Sequence, residues 1–171
     1  MISSPSYERV GLGGGCHWCT EAVFQALRGI SRVDQGWIAS MANDSALSEA
    51  VLIWFDPGTI SLETLIEIHL RTHASTSDHA MRGKYRSAVY VFNDDQGRLA
   101  KATLARSQEE FDEPLVTRVL PFSEFKLSDE RFRNYYATDP SRPFCQAYID
   151  PKLVMLRKNY SVLLETAAQR T

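Results

Sequence analysis

The stretch VGLGGGCHWCTEAVFQALRG, residues 10–29, sets the first structural unit of the chain. A short strand over residues 7–12 leads into a run of glycines, and the apolar residues that follow keep helical spacing as far as Gly29. The segment therefore predicts a strand, a tight glycine turn and a helix. Cys16 lies within the first turn of that helix, where backbone N–H groups have no intrahelical partner.

The rest of the chain continues this alternation in the order βαββαβ, followed by one more helix and strand. Strands are expected over residues 31–37, 49–55, 87–92 and 115–120, and helices over residues 61–73 and 94–111. This order is typical of a ferredoxin-like split βαβ sandwich, an α/β (α+β) fold with both helices on one face of an antiparallel sheet. Residues 128–160 are expected to form a C-terminal segment that wraps the domain.

The bulk composition indicates one domain and argues against polyanionic partners. A chain of 171 residues with 44% hydrophobic residues can bury one proper core, so residues 1–171 are expected to form a single domain. A net charge of -2 gives no electrostatic case for binding nucleic acid or an anionic membrane. The sequence has neither a signal-peptide pattern nor a membrane-length apolar run, and we expect a monomeric, cytoplasmic protein.

The three cysteines are expected to be working thiols, because an odd number makes a poor disulfide framework. At the start of a helix, the backbone dipoles lower the pKa of the Cys16 thiol only modestly. A nucleophile in this position would benefit from a second device, such as a carboxyl group that protonates the electrophile while the sulfur attacks.

Two other uses of these cysteines remain open from the residues alone. Cys16 and Cys19 form a CxxC pair, which is also the pattern of a thiol–disulfide oxidoreductase. His69 and His73 lie one helical turn apart and would complete the ligand types of a Cys2His2 zinc site in a metal-binding module. Nothing in the sequence brings the two pairs together.

Four segments, taken in order, resemble the A-type peptide methionine sulfoxide reductases. GGGCHWCTEAVF (13–24) is similar to the GCFW signature of that family, and SEAVLIWFDPGTIS (48–61) resembles its second motif. YRSAVY (85–90) and RPFCQAYIDPKL (142–153) resemble its later ones. Because the matches span about residues 10–160, the chain is identified as a divergent member of the family.

The resemblance implies an activity and its requirements. The expected reaction is reduction of the S epimer of methionine sulfoxide, peptide-bound or free, as part of protein repair under oxidative stress. It passes through a cysteine sulfenic acid and an intramolecular disulfide. No bound cofactor or metal is implied. Instead, an external dithiol reductant such as thioredoxin is the expected partner.

The resemblance also assigns roles to individual residues. Cys16 matches the nucleophile and Glu49 matches the acid, which must stay protonated to donate to the sulfoxide oxygen. Tyr85 matches a tyrosine that hydrogen-bonds the same oxygen, and Trp18 matches the wall against the substrate methyl group. Cys145 resembles the cysteine that resolves the sulfenic acid; Cys19, nearer in sequence, is the alternative, and both could act in a relay.

The departures from the family pattern concern substrate binding. His17 replaces the phenylalanine that usually lines the methyl pocket, and Trp37 stands where a tyrosine is usual. The segment before Tyr85 is shortened, so Asp78 is only the nearest candidate for the family's aspartate. We expect a more open cleft with an altered preference among sulfoxides, and a member that binds sulfoxides without turnover stays an alternative.

Overall fold

A six-stranded sheet forms the centre of the computed structural model, which describes residues 6–165. Its strand order is β5-β4-β1-β3-β2-β6. The strands are β1 (Glu8–Gly13), β2 (Ile30–Ala39), β3 (Ser48–Phe55), β4 (Ala88–Val91), β5 (Arg118–Pro121) and β6 (Glu124–Leu127). The helices are α1 (His17–Gln25), α2 (Leu62–Thr72), α3 (Asp94–Ser107), α4 (Tyr135–Thr138) and α5 (Asp150–Asn159).

The four central strands confirm the ferredoxin-like prediction. β1 pairs antiparallel with both β3 and β4, and β2 pairs antiparallel with β3. The outer strands extend this core in ways that the sequence pattern did not predict. β5 pairs parallel with β4, since α3 carries the chain back to the end of the sheet where β4 began, and β6 adds an antiparallel edge beside β2.

The core lies mainly between the sheet and the helices on one of its faces. Side chains from β1 and β3, among them Val10, Leu12 and Ile53, are fully buried together with Phe24 of α1 and Leu65 of α2. A smaller apolar cluster, built on Ile38, Ala50, Ala88 and Tyr90, covers the opposite face. Both early helices therefore share one face, as the fold class requires.

The predicted C-terminal segment does wrap the domain. α4, a π-helical turn over Cys145–Ile149 and α5 follow one another and pack against α1. Ser61 is the N-cap residue of α2, and its hydroxyl accepts a hydrogen bond from the Thr64 N–H at 3.1 Å. Within residues 6–165, none of the helices has the length and apolar character needed to cross a membrane.

Candidate active site

The glycine turn between β1 and α1 is fixed by hydrogen bonds to its carbonyl groups. The His69 Nε2–H donates to the Gly13 carbonyl at 2.8 Å, and the Arg82 guanidinium donates to the Gly14 carbonyl at 2.7 Å. Gly14 has a φ of 147°, and a Cβ added there would lie 2.6 Å from the ring of His73. Only glycine fits this position. The hydrogen bonds from His69 and Arg82 fix the turn that precedes Cys16.

Cys16 is the N-cap residue of α1, directly before the first helical turn in which the sequence pattern placed it. The Cys19 thiol, followed by the backbone N–H groups of Trp18 and Cys19, lowers the pKa of Cys16 against the opposing effects of burial and of the Glu49 charge. The largest of these contributions comes from the Cys19 thiol, which lowers the pKa of Cys16 in addition to the effect of the helix N-terminus. The arrangement favours a thiolate at residue 16.

Glu49, the second residue of β3, meets the start of α1. Its side chain is 11% exposed, and Oε2 accepts a hydrogen bond from the His17 backbone N–H at 3.3 Å. Oε1 lies 3.8 Å from the Lys84 Nζ. In the sheet register Glu49 is opposite Trp37 of β2, so the two strands bring an acid and an aromatic ring to one edge of the cleft.

His17 is buried beside that acid. Its Nδ1–H donates to the Gly36 carbonyl at 2.9 Å, and its ring lies edge-on to Trp37 with centroids 5.4 Å apart. Because a carbonyl only accepts, Nδ1 carries a proton, and Nε2 lies 3.9 Å from the Glu49 Oε2. Burial is the main reason that the pKa of His17 is lowered. The side chain forms a polar wall next to the acid.

Trp18 lies in an aromatic group contributed by the C-terminal segment. Its ring stacks on Tyr135 with centroids 4.1 Å apart and an interplanar angle of 3°, and Phe144 meets it edge-on at 5.6 Å. The indole N–H is buried and has no hydrogen-bond partner among the described residues. Two aromatic side chains of the wrapping segment thus fix the orientation of Trp18.

Tyr85 and Glu49 both lie near the Lys84 ammonium, whereas Asp78 lies elsewhere. The Lys84 ammonium is 5.1 Å from the centre of the Tyr85 ring, and hydrogen bonding with Tyr85, then the charge of Glu49, raises the pKa of Lys84. Asp78 is exposed and lines a separate polar cavity together with Asp44. Within residues 6–165 no contact joins Asp78 to the acid or to Cys16.

The three cysteines lie at increasing depth behind the glycine turn, and all are unpaired. Cys19 is 8% exposed and touches Cys16, whose sulfur is the main reason that the pKa of Cys19 is raised. Cys145 is fully buried in the π-helical turn, and its thiol lies 3.6 Å from the Asp139 carbonyl oxygen. Burial raises the pKa of Cys145. A negative charge on Cys145 also contributes to the raised pKa of Cys19.

Sequence reasoning missed Glu21 and Lys84 as residues of this region. The Glu21 carboxylate is 1% exposed and accepts hydrogen bonds from the backbone N–H groups of Asn134 at 3.0 Å and Tyr135 at 3.1 Å. A carboxylate on the otherwise apolar face of α1 was the available signal. For Lys84 the signal was its position directly before Tyr85.

His69 and His73 serve the glycine turn and do not form a pair with the cysteines. The rings stack with centroids 4.1 Å apart, and the Ser87 hydroxyl lies 2.8 Å from the His73 Nε2. The described part of the chain holds no cluster of three or more His, Cys, Asp or Glu side chains that could bind a metal ion.

Comparisons with known proteins agree on one family. The chain matches the family model described as peptide methionine sulfoxide reductase over residues 8–163. Peptide methionine sulfoxide reductase MsrA 1 of Rhodopirellula baltica is 32% identical over 170 residues, covering 91% of this chain and 88% of that protein.

Solved structures with the same fold are more distant in sequence. Mxr1 from Saccharomyces cerevisiae in its reduced form has a TM-score of 0.73 and 18% identity, covering 85% of this chain and 92% of that one. The same yeast protein in complex with Trx2 has a TM-score of 0.62 and 19% identity, covering 79% of this chain and 89% of that one. At these identities the likeness concerns the fold.

Proposed function

This chain belongs to the peptide methionine sulfoxide reductase family, and from that premise we propose how its own residues carry out the reduction of methionine sulfoxide. The observation that carries the proposal is the meeting of two chain segments. Cys16 begins α1 among hydrogen-bond donors, and Glu49 begins β3 with its carboxylate against the next backbone N–H of α1. A nucleophile and an acid thus face one cleft.

The first step is transfer of the sulfoxide oxygen to Cys16. The thiolate attacks the sulfoxide sulfur while protonated Glu49 gives its proton to the oxygen. Collapse of this adduct moves the hydroxyl group to the cysteine sulfur and breaks both the bond between the two sulfurs and the bond between substrate sulfur and oxygen. It leaves Cys16 as a sulfenic acid and releases methionine. Two electrons pass from the cysteine sulfur to the substrate sulfur, and the Glu49 carboxylate regains a proton from solvent.

The side chains around this pair bind the substrate. Tyr85 donates a hydrogen bond to the sulfoxide oxygen, and Trp18, held by Tyr135, contacts the substrate methyl group. His17 and Trp37 complete the cleft. The S epimer is the proposed substrate, free or in a peptide, and Asp78 has no part in the proposal.

The sulfenic acid is resolved by the two deeper thiols in turn. The contact between Cys19 and Cys16 favours Cys19 as the first to react: its thiol displaces water from the sulfenic acid and forms a disulfide. Oxidation of Cys16 removes the thiolate that accepts a hydrogen bond from the Cys19 thiol, and this hydrogen bond is the main reason that the pKa of Cys19 is raised. Cys145 then attacks the Cys19 sulfur and frees Cys16, and a dithiol protein of the thioredoxin type reduces the second disulfide.

The wider setting belongs to the same proposal. Yeast Mxr1 has been solved in complex with Trx2, which supports a thioredoxin as the reductant here. Three unpaired cysteines suit a reducing compartment, so we place the protein in the cytoplasm and assign it to repair of oxidised methionine. The match over residues 8–163 supports one domain.

A single-turnover experiment tests the nucleophile. Reduced protein without added reductant is mixed with one equivalent of methionine sulfoxide, and the methionine formed is counted. Cys16→Ser should form none, whereas the matched Cys145→Ser should still form one equivalent. Methionine production by Cys16→Ser would refute the assignment.

Intact mass of the same samples tests the order of the thiols. Cys145→Ser should lose two hydrogens as Cys16 pairs with Cys19, and Cys19→Ser should accumulate a sulfenic acid that an added 1,3-diketone traps. If Cys19→Ser forms a disulfide at the wild-type rate, Cys145 resolves Cys16 directly and the relay is wrong.

A further inference from the structure

Lys84 is placed beside the acid by the backbone itself. The Glu49 N–H donates to the Lys84 carbonyl at 2.9 Å, which holds the two residues side by side before any side-chain contact forms. The Lys84 Nζ then lies 3.8 Å from the Glu49 Oε1, and the charge of Cys16 also acts on it. The ammonium is therefore part of the reacting cleft, although its side chain is 57% exposed.

The chemistry asked of Glu49 removes the anion that faces this ammonium. The acid has to be neutral when the sulfur attacks, because it then gives its proton to the sulfoxide oxygen. When Glu49 takes up its proton, the ammonium loses its anionic partner at the cleft mouth. An anion supplied by the substrate could take that place.

The opposite flank of the cleft also carries positive charge. The Lys126 ammonium lies 6.0 Å from the centre of the Trp37 ring, and Trp37 is opposite Glu49 in the sheet. With Glu49 protonated, Lys84 and Lys126 place two cations on the flanks of this cleft.

We propose that Lys84 binds a carboxylate that the substrate carries beside its sulfoxide, and that this contact makes Lys84 a specificity-determining residue. The inference rests on the proposed function. Two sources share the chemistry: the α-carboxylate of free methionine sulfoxide, on the order of 5 Å from its sulfur, and an Asp or Glu next to the oxidised methionine in a peptide. The contact lowers KM for substrates that carry the carboxylate and thereby raises kcat/KM.

The test compares matched substrates with dithiothreitol as the reductant, which removes any dependence on a protein partner. One pair is N-acetylmethionine sulfoxide and its methyl ester, and the other is a short peptide with Glu or Gln next to the oxidised methionine. The wild-type protein should prefer the anionic member by about fivefold in kcat/KM, the size of an ion pair at a partly exposed site. About 0.5 M NaCl should reduce the preference.

Lys84→Met should bring the ratio close to one, and Lys84→Arg should retain most of it. Lys101→Met, which removes an exposed lysine from α3, is the matched control and should leave the ratio unchanged. A wild-type ratio of one, or a preference that persists in Lys84→Met, overturns the inference. Absence of turnover with every sulfoxide would instead refute the proposed function, and the pair that shows the preference identifies the source of the carboxylate.

Discussion

Replacing Glu21 by alanine is expected to loosen the C-terminal segment. This carboxylate, 1% exposed on α1, accepts two backbone N–H groups, from Asn134 and Tyr135. Asn134 has a φ of 54°, in the left-handed region, which turns consecutive N–H groups toward one acceptor. The carboxylate therefore ties α4, and with it the ring that stacks on Trp18, to α1.

The magnitude follows from these two bonds. A hydrogen bond to a charged group contributes about 1.5 to 3 kcal/mol, and alanine removes the acceptor of two part-buried N–H groups. Burial, however, is the main reason that the pKa of Glu21 is raised, so ionisation there is costly and offsets part of the gain. We expect a net loss of about 3 kcal/mol in the free energy of unfolding, or a fall of roughly 6 to 12 °C in Tm for a chain of this size.

Urea unfolding at pH 7, followed by circular dichroism, measures the change. Glu109→Ala, an exposed glutamate after α3, is the matched control and should stay within about 0.5 kcal/mol of the wild type. Glu21→Ala should also lower kcat/KM, since Trp18 loses the ring that orients it. If its unfolding midpoint matches that of the control, the tether does not stabilise the fold and the reasoning is refuted.

Three further changes have expected outcomes. Gly14→Ala should destabilise the protein by about 2 kcal/mol or more and lower its activity, because the added Cβ would overlap the His73 ring. Gly83→Ala, whose added Cβ would have nothing within 4 Å, is the control and should leave stability nearly unchanged in the same urea assay. Burial lowers the pKa of His73 from 6.5 to about 4, so the unfolded chain binds the extra proton between these values. Unfolding at successive pH values should show stability falling as the pH drops through that window; His73 contributes at most about 3 kcal/mol, and His69 and His17, whose pKa values burial also lowers, add to the fall. His73→Asn should make the slope shallower. His17→Phe removes the donor to the Gly36 carbonyl and should lower the free energy of unfolding by about 1 to 3 kcal/mol. Because the wall of the cleft becomes more apolar, kcat/KM for uncharged sulfoxides should rise severalfold. Unchanged values of both quantities would contradict the role given to the imidazole.

The central fold could be predicted because each element carries its own local signal. Alternating or continuous apolar runs marked the inner strands, and Gly29 marked the end of the first helix region. The edge strand β6, Glu124–Leu127, escaped prediction because it has four residues and is stabilised by pairing with β2 more than by its own composition. The parallel pairing of β5 depends on where α3 returns the chain, which no local pattern encodes.

The candidate site likewise contains residues that the sequence could identify and contacts that it could not. Cys16, Glu49, Trp18 and Tyr85 could be proposed because motifs carry them, and the chain brings Cys16 and Glu49 to one cleft. Contacts between distant segments could not be read from the sequence. The stacking of Tyr135 on Trp18 joins residues more than a hundred positions apart, and only the assembled sheet brings them together.

The graded depth of the three sulfurs affects how the protein responds to thiol reagents. Cys16 is partly accessible, Cys19 is 8% exposed and Cys145 is fully buried. A small alkylating agent in native buffer should therefore modify one sulfur promptly and the others only after denaturation. Chromophoric thiol titration of the native protein would give a count near one, so a low count is no sign that the sample has been oxidised.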